Sequence, residues 1–195
     1  MTKEKHQPPQ PIPYPNNWIF KSLYRFPILL YRLGLGKCIG KFISILSTYG
    51  RKTGMVHRTP LEYYRYQGRF YVMSGFGQEP DWYKNIQADP RVILNTDRGF
   101  LKGIARKPET EEEWQGVYAF LRNSPVTFLT DPQMDRKLDD PEIQAQIKNW
   151  PVLTFDPTDE PCPPPLEEDL VWAWPLILIG LALHILIGWL IQRKS

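Results

Sequence analysis

Residues that bind metals are scarce in this chain. Of 195 residues only two are cysteine, Cys38 and Cys162, and three are histidine, His6, His57 and His184. They stand far apart, and none has the short spacing that zinc or an iron–sulfur cluster requires, so no metal site is legible. A strong charge of either sign is lacking too. The formal net charge of +3 falls short of the basic excess, interleaved with exposed aromatics, of a nucleic-acid binder, so nucleic acid is not an expected partner. There is no internal repeat, no phosphate-binding P-loop and no dinucleotide fingerprint. The N-terminus lacks the apolar stretch of a secretory signal.

What is present divides the chain into stretches of different character. Residues 1–17 (MTKEKHQPPQPIPYPNN) are polar and proline-rich and are expected to be a disordered tail. Residues 18–36 begin WIFKSLYRFPILLYRL, where large apolar residues alternate with Lys21, Arg25 and Arg32. This suits a basic amphipathic helix, either lying among the headgroups of membrane lipids or packed across a domain. Pro27 should kink or bound it, and Gly34 and Gly36 should end it. Near the other end, residues 170–191 (LVWAWPLILIGLALHILIGWLI) carry no formal charge. Glu167, Glu168 and Asp169 precede them, Arg193 and Lys194 follow, and Trp172, Trp174 and Trp189 stand near the ends. The run reads as a single transmembrane helix with a short tail at 192–195. Between it and the preceding domain, residues 156–169 hold Pro157, Pro161, Pro163, Pro164 and Pro165 and read as a stiff linker.

Residues 37–155 read as the domain with a core. Strand-like runs rich in β-branched and aromatic residues recur, at 43–48, 61–66, 69–73, 92–96, 100–106 and 150–155. Gln67 and Gly68 form a two-residue hairpin turn, and Asp97, Arg98 and Gly99 another. A short helix is expected over 82–87 with Asp81 as its N-cap, and Thr110 with Glu113 forms a capping box for a longer helix. The fold class expected is α+β: about six mostly antiparallel strands in a small closed or split β-barrel with covering helices, plus the C-terminal transmembrane helix. The turn between the first two strands sets Arg51, Lys52 and Thr53 between Gly50 and Gly54, whose freedom to take positive φ would bring amide groups near a ligand. Such a turn favours an anion. Ser74, Gly75, Phe76 and Gly77 make a second glycine loop.

Three separated stretches, LSTYGRKTGMVHRTPLEY, GRFYVMSGFG and DWYKNIQADPRV, resemble in order and spacing the deazaflavin-dependent nitroreductase family. The resemblance covers about residues 30–155. It implies a split β-barrel that binds reduced coenzyme F420 and passes its hydride to an acceptor. Coenzyme F420 has a phosphodiester and a polyglutamate tail, so the resemblance assigns the basic turn to that anionic handle. Carried over position by position, Arg51, Lys52 and Thr53 contact the coenzyme, with His57, Arg58, Thr59 and Pro60 at the next strand. Ser74, Gly75, Phe76 and Gly77 and, on the short helix, Trp82 and Asn85 complete the set. Two departures stand out. Many relatives have arginine where this chain has His57, with Arg58 adjacent, and another branch has lysine after the loop serine, where this chain has Gly75.

No Ser-His-Asp or Cys-His pairing is readable, and the catalytic residues stay unassigned; the hydride chemistry would belong to the coenzyme. The expected function is a membrane-anchored, F420-dependent reductase of a small lipophilic acceptor, quinone-like or a nitro compound. Membrane lipids are the other expected partner, and a homodimer is open. Two alternatives remain: a barrel of the same kind using FMN, whose phosphate would also suit Arg51 and Lys52, and a non-catalytic cofactor-binding protein at the membrane. With no export signal evident, the barrel is expected in the cytoplasm, anchored by its C-terminal span.

Overall fold

The computed structural model describes residues 23–192. The expected tail at 1–17, residues 193–195 of the tail expected at 192–195, and the start of the expected amphipathic helix at 18–22 lie outside the described residues. Six strands, β1 Ile43–Tyr49, β2 Val56–Tyr66, β3 Arg69–Met73, β4 Arg91–Thr96, β5 Gly99–Arg106 and β6 Val152–Pro157, close into a barrel in the order β1-β2-β3-β6-β5-β4. Every pairing is antiparallel. The expected six-stranded antiparallel barrel is present. The β2–β3 turn adopts positive φ at Gln67 (46°) and Gly68 (83°), the geometry that suits a two-residue hairpin loop.

β2 changes partners along its length. Val56 to Glu62 pair with β1, the last pair being Glu62 with Ile43. Tyr63 to Tyr66 pair with β3. The edge of β2 that faces β3 is therefore unpaired from Val56 to Glu62, and the barrel is split there. Successive side chains of a strand point to opposite faces, so β3 sends Val72 into the barrel and Tyr71 outward. Inside are Leu46, Leu61, Tyr63, Leu94, Leu153 and Phe155. Outside, Tyr71 and Val152 meet a second core of Trp114, Val117, Leu121 and Ile147. Each fully buried side chain of this size contributes about 1.5–3 kcal/mol.

That second core comes from the segment between β5 and β6, which folds as α4 Glu111–Asn123, α5 Pro125–Thr130, α6 Met134–Lys137 and α7 Pro141–Ile147. The capping box is made as expected: Glu113 N–H donates to Thr110 Oγ1 at 3.2 Å while the Glu113 carboxylate accepts from Thr110 N–H. Gly116 lets α4 approach closely, since a Cβ there would stand 2.5 Å from the Tyr71 ring. Glu113 also anchors an ion cluster. Arg106 donates to it at 2.6 and 3.0 Å and to Asp156, and Arg69 reaches Asp156 at 3.1 Å.

The N-terminal segment packs across the barrel as α1 Phe26–Leu30, a kinked stretch Tyr31–Leu35 and α2 Gly36–Ile39. Pro27 falls in the first turn of α1, where it is tolerated, rather than at a kink. The break comes at Gly34, with φ 81°. Buried Tyr31 ties this segment down by donating to Ile43 O at 2.9 Å.

The C-terminal region differs from expectation in two ways. Residues 158–169 lie against the barrel: Leu166 N–H donates to Asn95 Oδ1 at 3.1 Å, and Lys102 Nζ to Asp159 O at 2.7 Å. The span expected over 170–191 is also corrected. Its first residues form a 3₁₀ turn, Val171–Ala173, fastened to the N-terminal segment. Leu170 N–H donates to Arg32 O, Arg32 pairs with Asp169 at 2.7 Å, and Trp174 Nε1 donates to Leu33 O. The helix α8 runs from Trp174 to Gln192. Among the described residues, no helix is long and apolar enough to cross a membrane.

Candidate active site

The β1–β2 turn is closed by Gly50 N–H to Met55 O at 2.8 Å and Gly54 N–H to Gly50 O at 2.7 Å. Only Gly54 takes positive φ (68°). Gly50 serves a different purpose from the one expected, since a Cβ there would stand 2.7 Å from the His57 ring. Arg51 leaves the turn tip and grips α3, Asp81–Ala88. Its backbone N–H and Nη1 both donate to Asn85 Oδ1, at 3.2 and 3.1 Å, and Nη2 donates to Asp81 Oδ1 at 2.9 Å. This hydrogen bond holds the Asp81 carboxyl below its usual range. Asp81 is not the N-cap: Pro80 is, with no side-chain cap, so the carboxylate is free to take Arg51.

The basic turn and the DWYKN helix are thus two halves of one clamp. Asn85 is buried and its Nδ2 donates to Thr48 Oγ1 at 3.4 Å. Trp82, one residue past Asp81, belongs to the barrel core.

A cavity of about 350 Å³ opens where β2 is unpaired. Of the expected site residues, His57, Arg58, Thr59 and Pro60 line it from β2, Ser74, Gly75 and Phe76 from the loop after β3, and Trp82 and Asn85 from α3. Arg51, Lys52, Thr53 and Gly77 are not on its wall. Lys52 and Thr53 sit exposed at the turn tip, and Thr53 Oγ1 accepts from Met55 N–H at 3.3 Å. Gly77, with φ 65°, donates its N–H to Ser74 O and closes the second loop. Two donors at the cavity lack acceptors among the described residues. Arg58 Nε and Ser74 Oγ are both buried without a hydrogen-bond partner, and Arg58 Nη2 has a single 3.4 Å contact to Pro165 O. Ser47, Tyr118, Gln146 and Thr154 also hold a buried unpartnered polar atom, but among the described residues it is Arg58 and Ser74 that line this cavity, where their donors can meet a ligand.

Sequence reasoning did not find the opposite wall. Tyr24 and Arg25 close it from the N-terminal side, and Tyr24 makes an edge contact with Phe76, ring centroids 6.4 Å apart. Glu62, Phe120, Ser124 and Thr127 close it from β2, α4 and α5. Ser124 donates to Glu62 Oε2 at 2.9 Å. Only knowledge that the 111–147 segment folds back over β2 would have signalled them. A second cavity of about 620 Å³ shares Glu62, Ser124, Tyr24, Pro60 and Phe120 among others with the first, and the rest of its wall is mainly apolar, with Phe42, Ile43 and Pro125 beside Lys41 and Asn123.

Comparison with known proteins gives the site a family. The model of the family described as F420H(2)-dependent quinone reductase matches residues 31–137, more than half of the chain. Among solved structures, one described as an F420-H2 dependent reductase is 23% identical with a TM-score of 0.41, the match covering 58% of this chain and 93% of that one. A haem-binding protein from Mycobacterium smegmatis is 14% identical with a TM-score of 0.42, covering 65% and 51% respectively. The matched segment includes the basic turn, both strands that flank the split, the second glycine loop and the clamp helix. The chain belongs to the F420H(2)-dependent quinone reductase family and is an F420-dependent reductase.

Proposed function

We propose that the chain passes hydride from reduced coenzyme F420 to a small lipophilic acceptor of the quinone type, and that it works beside a membrane. The observation that carries the coenzyme site is the pair of buried, unpartnered donors on the cavity wall, Arg58 Nε and Ser74 Oγ. Their chemistry fits an anionic, oxygen-rich ligand. Arg58 and Ser74 would hold such a group by charge-assisted and neutral hydrogen bonds, and Trp82 and Pro60 offer apolar surface to a ring. Lys52, exposed at the turn tip, would meet the anionic tail in solvent. When bound, coenzyme F420 supplies a hydride.

The chain's own residues bind, orient and exclude water. Arg51 holds the turn on α3, Tyr24 and Phe76 cover one side of the cavity, and α5 covers the other. Support for the membrane reading is the exposed apolar surface of α8, where Leu176 and Ile185 are each 62% accessible, together with exposed Leu23 and Phe26 on the N-terminal side. A run of exposed apolar side chains along one helix marks an interaction surface. In this reading the barrel is cytoplasmic, α8 rests against the membrane surface and the acceptor is dissolved in the lipid beneath it. A nitro compound is a secondary acceptor.

Titration of the purified full chain with reduced and oxidised F420 tests the site by fluorescence, and loss of reduced coenzyme on adding menadione tests the reaction. Binding of FMN with no response to F420 would sink the proposal. Recovery of the intact chain in the soluble fraction after cell lysis would remove the membrane part alone.

A further inference from the structure

Hydride reduction of a quinone needs a proton as well as a hydride, and the family assignment names no residue to give it. Glu62 is placed for that task. It is the last β2 residue paired with β1 before the strand crosses to β3, and it lies on the wall common to both cavities. One cavity has the basic and polar lining described above. The other, at about 620 Å³, is larger and walled mainly by apolar residues. Glu62 therefore borders both spaces.

We infer that the larger cavity takes the acceptor, a small apolar ring carbonyl compound, and that Glu62 is the catalytic residue that protonates it. The inference rests on the proposed hydride transfer. Two electrons and one hydrogen arrive as hydride from the reduced coenzyme. The Glu62 carboxyl O–H breaks, its proton forms an O–H on the acceptor, and the electron pair stays on the carboxylate. The carboxylate then regains a proton from solvent. Reduced coenzyme and quinone thus become oxidised coenzyme and hydroquinone.

The surroundings suit a proton donor. Burial raises the Glu62 carboxyl pKa, opposed by hydrogen bonds from the Ser124 hydroxyl and the Val126 backbone. The same Ser124 bond fixes the carboxyl's orientation. Charged or titratable groups facing the two cavities, among the described residues, are His57 and Arg58 on β2, Asp81 on α3, and Arg25 and Lys41 on the N-terminal side, with Tyr24, Tyr63 and Tyr64. The described residues of α4 and α5 contribute no charge to either wall.

The test is Glu62→Gln in the full chain, which keeps an oxygen for Ser124. With saturating F420 and menadione, kcat should fall about 100-fold, within the range for general acid catalysis, with F420 still bound by fluorescence. Wild-type kcat should decline as pH rises through the raised carboxyl pKa, and the variant should lose that limb. A readout independent of turnover is an infrared pH titration of the coenzyme-free protein, where a carboxyl band titrating above the ordinary glutamate range should be absent from Glu62→Gln. Asn123→Phe, which intrudes on the larger cavity only, should weaken menadione binding at least 10-fold by calorimetry with F420 affinity intact. If Glu62→Gln does not fold, Glu62→Asp takes its place, with an intermediate kcat expected. Unchanged kcat and pH profile with F420 bound would overturn the inference, as would persistence of the high-titrating band in the variant. Failure of wild-type protein to bind F420 would instead sink the parent proposal, and the proton-donor role with it.

Discussion

Arg106 and Arg58 are both strand arginines, and their surroundings are opposites. Arg106 is saturated: its guanidinium donates to Glu113, Asp156 and the Lys107 carbonyl. Arg58 has one 3.4 Å contact and a buried Nε with none. The first sits where β5 is paired with β6, opposite Thr154, and α4 brings Glu113 against it. The second sits where β2 has lost its neighbour. One end of the barrel spends its charges on holding the fold, and the other leaves donors open for a ligand. Substitutions at the two ends should therefore separate stability from binding.

The largest effect is expected at the saturated end. Glu113→Ala removes the capping-box carboxylate and leaves Arg106 underpaired, so unfolding free energy should fall by about 3–5 kcal/mol, read by urea denaturation. The pH dependence follows. Hydrogen bonding from Arg106 lowers the Glu113 pKa to about 2 from an ordinary 4.5. A carboxyl depressed by folding contributes stability that is full above its unfolded pKa and is lost as pH falls through the folded one. Wild-type stability should drop between about pH 4.5 and 2, and Glu113→Gln should lack that part of the drop. A parallel loss in both proteins would show that the cluster is not the acid-sensitive element.

At the open end the signs reverse. Arg58→Met keeps length and removes a buried donor that has no acceptor in the coenzyme-free protein. Coenzyme affinity should fall by roughly 10- to 100-fold, from the loss of a charged hydrogen bond worth about 1.5–3 kcal/mol, while stability stays level or rises. A loss of stability with no change in F420 affinity would make Arg58 a structural residue like Arg106 and erase the contrast.

Arg51 lies between the two behaviours. As part of an exposed turn it reads as a ligand contact whose removal costs no stability. The structure instead commits it to Asp81 and Asn85. Arg51→Ala should therefore destabilise by about 1–2 kcal/mol, read by urea denaturation, and should weaken F420 binding less than Arg58→Met does.

The parts of the molecule that were legible in sequence are those set by local patterning. Six strands, their hairpin turns at Gln67 and Gly99, and the Thr110–Glu113 capping box follow from alternation, turn residues and spacing. The motif residues Arg51, Asp81 and Asn85 were visible as separate motifs, but their mutual hydrogen bonds depend on β1 and α3 meeting across the barrel mouth. Glu62 was invisible as a site residue because it gains its role only when Ser124, sixty-two residues later, folds over it. Residues 158–169 were misread for a similar reason. Proline content describes stiffness and says nothing of a bond such as that from Leu166 N–H to the Asn95 side chain.

The smallest effect is expected at Lys52, and it isolates long-range attraction from contact. Its side chain is exposed at the turn tip, outside both cavities, and a surface change of this kind alters stability by within about 0.5 kcal/mol. Any contribution to binding must then come through solvent, from attraction of the charged coenzyme tail. Lys52→Ala should weaken F420 binding about 2- to 5-fold at low salt. The difference should vanish near 1 M salt, where the screening length shrinks to about 3 Å. Arg58→Met should keep most of its defect at that salt, because its partner is buried with it. Equal salt sensitivity in the two variants would mean that Arg58 acts as a general positive charge, and the unpaired Nε would lose its meaning as a binding group.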